Sequence, residues 1–143
     1  MRKTLSLIVI LMSMGLNVFS QSLSNSADNN APGSPLNPTI GIVLYSNDAE
    51  TVWNAFRFAN FSLSKGETVT FFLIGKGVEA PVIENEDFDI KQKVADFAEN
   101  GGQILACGTC LKLRNSDGGE IVTVATLNDL YSIVKSSGVI LTF

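Results

Sequence analysis

The sequence predicts an α/β fold: a single three-layer α/β/α domain around a roughly five-stranded, mostly parallel sheet. Three observations lead there. Short apolar runs rich in β-branched residues recur along the chain, at 39–45, 68–74, 103–106, 121–124 and 139–143. Segments with helical spacing of apolar residues lie between them. The longer runs are continuously apolar rather than alternating, as in strands covered on both faces. Strands that alternate with helices make βαβ units, whose crossovers are right-handed and whose sheet is parallel.

Thr39 to Tyr45 (TIGIVLY) reads as the first strand. Asn47, with Glu50 three residues on, predicts the cap of a helix. Ala49, Val52, Trp53, Phe56, Ala59 and Leu63 follow at helical spacing and define its buried face. Trp53 and Phe56 are therefore expected in the core. Phe58 and Phe61 fall off that stripe, which predicts a subunit interface if they are exposed. Lys65-Gly66 ends the helix.

Thr68 to Ile74 (TVTFFLI) is the second strand, and Gly75-Lys76-Gly77 the turn after it. Residues 78–88 read as a loop with a short helical piece, containing Pro81 and an acidic stretch. Glu84, Glu86, Asp87 and Asp89 lack the spacing of a calcium loop and read as a solvated segment. Ile90, Val94, Phe97 and Ala98 predict a second amphipathic helix, stopped by Gly101-Gly102.

Gln103 to Ala106 is the third strand, with Cys107 where it stops. Residues 108–114 begin a helix, and Ser116 to Gly119 a turn. Ile121 to Val124 reads as a short fourth strand. Thr126 and Asp129 resemble a capping box, and Leu127, Leu130, Tyr131 and Val134 mark the apolar face of the next helix. Val139 to Phe143 closes the sheet.

At 143 residues the chain holds one domain rather than two. Its first twenty residues read as separate from it. Met1-Arg2-Lys3 is a basic start, and Leu5 to Leu16 an apolar run broken by Ser6, Ser13 and Gly15. That run is shorter than the ~20 residues a membrane-spanning helix needs. A signal peptide over residues 1–20, cleaved after Ser20, is expected, with a periplasmic or secreted product and no membrane association after cleavage. Residues 21–38 are rich in Ser, Asn and Pro and predict a flexible linker. The domain then spans 39–143.

The chain has 10 basic and 14 acidic residues. Loss of Arg2 and Lys3 with the signal peptide would take the net charge from −4 to −6. Nothing in that balance favours nucleic acid or an anionic membrane.

Two cysteines and no histidine narrow the chemistry further. A Cys–His nucleophile has no base. A closed zinc site would need carboxylates or a second subunit, so no metal or cofactor is expected. Cys107-Gly108-Thr109-Cys110 is a C-x-x-C sequence at a strand end, where chemistry gathers in parallel sheets. It opens a helix, whose free N–H groups and dipole favour a thiolate. Lys112 and Arg114 are the nearest cations in sequence. Three readings stand side by side: a structural disulfide, a thiol–disulfide redox pair, and a sulfur carrier holding a persulfide. Gly108 leaves room for a partner to approach the backbone. Asn47 and Asp48 lie at the end of the first strand, where the same pocket should open.

Asp48 to Val78 (DAETVWNAFRFANFSLSKGETVTFFLIGKGV) resembles the first half of the DsrE family, with its Ala-rich helix and "G-x-x-V-T-x-F-L-x-G-x-G-V" pattern. Gln103 to Arg114 (QILACGTCLKLR) resembles that family's cysteine segment, and Ala125 to Phe143 its last helix and strand. The resemblance covers 39–143. It implies a five-stranded parallel sheet, homo- or hetero-oligomers, and partners that donate and accept sulfur. It implies that Cys107 takes sulfur as a persulfide and that Cys110 is the second cysteine of one branch. Asn115 stands where that family usually has glycine. The function expected is therefore an exported sulfur carrier: Cys107 the acceptor thiolate, Cys110 a resolving or modulating thiol, Gly108 and Thr109 supplying N–H groups, and Asn47 lining the pocket. The competing expectations are an oligomeric interaction module and a thiol–disulfide redox protein.

Overall fold

Each buried strand of the sheet is a five-residue apolar segment, and each is followed by a segment that carries the chain back across a face. The computed structural model describes residues 39–143. The expected signal peptide and linker lie outside the described residues. In order come β1 (Ile40–Leu44), α1 (Ala49–Ser64), β2 (Val69–Leu73), a 3-10 helix (Gly75–Val82), α2 (Ile90–Glu99), β3 (Gln103–Cys107), α3 (Gly108–Lys112), β4 (Thr123–Ala125), α4 (Leu127–Ser136) and β5 (Val139–Thr142). The five strands form one sheet in the order β4-β3-β2-β1-β5, and every pairing is parallel. The α/β class and the parallel sheet stand as the sequence predicts.

Alternate side chains of the strands feed two separate cores. On one face, Ile42, Leu44, Phe71, Leu73, Ile104 and Ala106 pack with Val52, Phe56 and Ala59 of α1 and with Val94 and Phe97 of α2. Phe56 stacks on Phe71 at 4.2 Å between ring centroids, and Phe97 meets both rings edge-on. Such aromatic pairs add attraction beyond the area they bury. On the other face, Phe72, Leu105, Cys107 and Ala125 pack with Ile133 of α4, joined by the partly buried Ile74, Leu130 and Ile140. This second core is the smaller, and the cysteine of interest belongs to it.

Three local readings change. The cap of α1 is Asp48, not Asn47: its Oδ1 accepts from the Thr51 N–H at 2.9 Å and the Thr51 hydroxyl at 2.7 Å. The Asn47 amide is turned instead toward Glu79. The glycine turn and the loop after β2 merge into a 3-10 helix that includes Pro81. A Cβ on Gly77 in that helix would fall 2.1 Å from the Leu44 carbonyl oxygen, so only glycine lets the segment lie against the end of β1.

The third change concerns α4. Its Thr126–Asp129 capping box forms as expected. Its core residue, however, is Ile133, while Leu127, Tyr131 and Val134 are 68%, 64% and 48% exposed. Of the expected face only Leu130 packs inward. The helix is short and its apolar stripe is wider than the part that meets the sheet, so spacing alone did not fix which edge of the stripe is buried. Asn115, where the resembling family usually has glycine, adopts a left-handed φ of +50° after α3, a conformation that asparagine tolerates better than most residues.

Candidate functional site

Cys107 is at once the last residue of β3 and the cap of α3. Its strand pairs on both sides, with β2 through Ala106 and Leu73 and with β4 through Cys107 and Ala125. The backbone there is fixed by the sheet, and the side chain, 8% exposed, packs among Phe72, Ala125 and Ile133. The chain then turns into α3, which brings Cys110 back beside it. Both cysteines are free thiols.

The two sulfurs are unequal. Burial works to raise the Cys107 pKa. The Cys110 thiol and the N–H groups of Cys110 and Thr109 outweigh it, so the Cys107 pKa is held below the ordinary cysteine value. Those N–H groups approach the sulfur without closing a full capping bond. The Cys110 thiol moves the other way. Burial and its neighbour Cys107 raise its pKa, against the Gly75 N–H and Arg114. Of the pair, Cys107 is thus the thiol that ionises more readily and Cys110 the one that keeps its proton to higher pH.

Beside the pair runs a chain of polar contacts that joins three strand ends. The Gly75 N–H donates to Cys110 Sγ at 3.3 Å. Arg114 Nη1 donates to the Cys110 carbonyl at 3.2 Å, and its Nε donates to Glu79 Oε1 at 2.7 Å. The second Glu79 oxygen accepts from the Asn47 amide, also at 2.7 Å. Asn47, and to a smaller extent Arg114, hold the Glu79 carboxyl below the usual range.

The structure therefore brings Cys107, Cys110 and Thr109 together as expected, and links Asn47 to them through Glu79 and Arg114. Gly108 is at the site, but a Cβ there would meet Val124 Cγ1 at 3.0 Å. Its missing side chain lets α3 lie close to β4. Arg114 acts on Cys110, and on Cys107 only through it. Glu79 and Gly75 are additions that the sequence did not signal, for each lies 35 residues from its partner, Arg114 just after α3 and Cys110 on it. Among the described residues, no group of three or more His, Cys, Asp or Glu is placed to hold a metal. Nor is any helix there long and apolar enough to cross a membrane. Phe58 and Phe61 are 39% and 59% exposed on the outer side of α1.

Residues 38–143 match a family model described as the DsrE/DsrF-like family. An uncharacterised protein of Methanopyrus kandleri is 34% identical over 100 residues, covering 66% of this chain and 83% of that one. An uncharacterised protein of Methanocaldococcus jannaschii is 31% identical over 100 residues, covering 66% and 88%. Among solved structures, a conserved protein of unknown function from Bacteroides thetaiotaomicron superposes with a TM-score of 0.62 at 21% identity, over 75% of this chain and 96% of that one.

Proposed function

The chain belongs to the DsrE/DsrF-like family, and from that premise we propose that it is a sulfur carrier whose working thiolate is Cys107. The observation that carries the reading is the inequality of the two thiols at the end of β3, with Cys107 held down and Cys110 pushed up. A carrier needs one nucleophilic sulfur and a means of keeping it ionised.

In the loading step, the Cys107 thiolate attacks the outer sulfur of a donor persulfide. The donor S–S bond breaks, the donor leaves as a thiolate, and Cys107 holds a persulfide. In delivery an acceptor thiolate attacks that outer sulfur, and Cys107 is regenerated as the leaving thiolate. The Thr109 and Cys110 N–H groups and the Cys110 thiol stabilise the charge on Cys107 at both ends of the cycle. The low exposure of Cys107 supports a persulfide shielded from solvent until a partner docks. The donor and acceptor are proteins with thiols of their own. The basic start and apolar run of residues 1–20 support a periplasmic or secreted setting. A reducing partner would then keep the pair from closing as a disulfide.

The test is the intact mass of the reduced protein before and after a persulfide donor, with Cys107→Ser and Cys110→Ser alongside. Gain of one sulfur that requires Cys107 and survives in Cys110→Ser is the expected result. No gain, together with an inert Cys107–Cys110 bridge, would favour the interaction-module reading. A second reading, thiol–disulfide exchange, rests on the same pair of thiols three residues apart on one helical turn. It predicts reversible closure of the pair with a dithiol and no retained sulfur.

A further inference from the structure

Two separate contacts converge on Cys110. Its sulfur accepts from the N–H of Gly75, the first residue of the 3-10 helix. Its carbonyl accepts from Arg114 Nη1. Arg114 is in turn fixed by Glu79, which lies on the same 3-10 helix as Gly75. The contacts close a ring: Gly75 to Cys110, Cys110 to Arg114, Arg114 to Glu79, and back along the 3-10 helix. Asn47 takes the remaining Glu79 oxygen and ties the ring to the end of β1. We infer that Glu79 and Arg114 are positioning residues, whose task is to hold the Cys110 thiol against Cys107.

An ordinary ion pair at a surface contributes little to stability and has no bearing on a neighbouring thiol. Glu79 and Arg114 differ from such a pair in two respects. Their side chains are only 39% and 26% exposed, and Arg114 uses its fork to grip a carboxylate and a backbone carbonyl at once. The charged groups that bear on the ring are Arg114 toward Cys110, and Arg114 and Lys76 toward Glu79. With the ring opened, Cys110 is free to turn away, and Cys107 loses its donor. The inference rests on the reading of Cys107 as the reactive thiolate, but not on any sulfur being carried.

The experiment is the pH profile of Cys107 alkylation by iodoacetamide, resolved by peptide mass, on the reduced full chain. The proteins compared are the wild type, Arg114→Ala, Glu79→Gln, Cys110→Ala and the double variant Arg114→Ala/Cys110→Ala. Arg114→Ala should move the profile to higher pH, toward that of Cys110→Ala, and slow alkylation at neutral pH by about threefold, because less of the thiol is ionised there. Glu79→Gln keeps an acceptor oxygen for Arg114 but loses the one that accepts from Asn47, so its shift should be smaller than that of Arg114→Ala. In the Cys110→Ala background, Arg114→Ala should add nothing. An unchanged profile in Arg114→Ala, or an equal shift with and without Cys110, would overturn the inference. If Arg114→Ala does not fold, Glu79→Ala takes its place in the same cycle. Failure of the wild type to accept sulfur would sink the carrier reading and leave this cycle to answer for itself.

Discussion

Gly77 and Leu44 touch backbone to backbone: a Cβ on Gly77 would lie 2.1 Å from the Leu44 carbonyl oxygen. No side chain can yield there, because the obstacle is main chain. Gly77→Ala must push the 3-10 helix off β1. We predict a loss of about 1–3 kcal/mol, in the range of overpacking elsewhere, measured by urea unfolding. Because the same helix carries Gly75 and Glu79, the variant should also alkylate more slowly at Cys107. A stable variant with wild-type thiol reactivity would show that the 3-10 helix has no hold on the site.

The two thiols should be distinguishable by pH. A lowered pKa means that Cys107 gains its thiolate at lower pH than a free cysteine, and a raised one means that Cys110 gains it later. Between the two, alkylation should fall on Cys107 first. The deep seat of Cys107 limits its maximal rate but not its midpoint. Peptide-resolved labelling from neutral to mildly alkaline pH decides it, and earlier ionisation of Cys110 would reverse the assignment of roles.

Asp48 links the start of α1 to pH. The Thr51 N–H and hydroxyl lower its pKa in the folded chain. A depressed carboxylate contributes stability above its unfolded pKa, and that contribution is lost as pH falls through the folded one. Asp48→Asn keeps the acceptor oxygen but does not titrate. Its stability should therefore decline less steeply in acid than the wild type, compared by thermal melts over the carboxylate range.

The inner and outer sides of α4 should separate under mutation. Ile133→Ala removes the helix's buried anchor on the smaller core and should cost about 2–4 kcal/mol. Tyr131→Ser, at an exposed position, should stay within about 0.5 kcal/mol. A large loss for Tyr131→Ser at high protein concentration, absent on dilution, would instead mean that this side of α4 is covered by another copy of the chain.

Phe56 sits at the junction of the larger core, stacked on Phe71 and edge-on to Phe97. Phe56→Ala should cost about 3–5 kcal/mol, since the rings around it cannot close over the space. Denaturant unfolding measures it directly, and a loss under 1 kcal/mol would contradict the packing.

The sheet was legible because each strand is a compact apolar run bounded by a glycine or a cap, and because such runs have no other stable environment. Cys107 was legible for the same reason: a cysteine at the end of a buried strand is placed by the strand. What spacing could not decide was rotation and pairing. On α4, Leu127, Tyr131 and Val134 satisfy helical spacing as well as Ile133 does, and only the packing of the helix on the sheet selects among them. Asn47 and Asp48 are adjacent and both able to cap. Glu79 draws Asn47 away, from 32 residues further along. Glu79 and Arg114 carried no local sign of their contact, since each alone reads as a solvated charge.

The position of β1 has a consequence for how the chain is made. It is the first strand of the described residues, yet it lies inside the sheet, between β2 and β5. Its second neighbour arrives late: Gly138, at the start of β5, bonds to Thr39 across a separation of 99 residues. A parallel pair cannot be zipped up from a hairpin, so nothing local can cover that side sooner. As the polypeptide leaves the ribosome, β1 must wait with a bare, apolar edge while nearly the whole domain is synthesised behind it. Such an edge invites pairing with a neighbouring chain. The nascent protein is thus most vulnerable before β5 is available to pair, and a chaperone that shields it over that interval should raise the yield more than one that acts after β5 has joined the sheet.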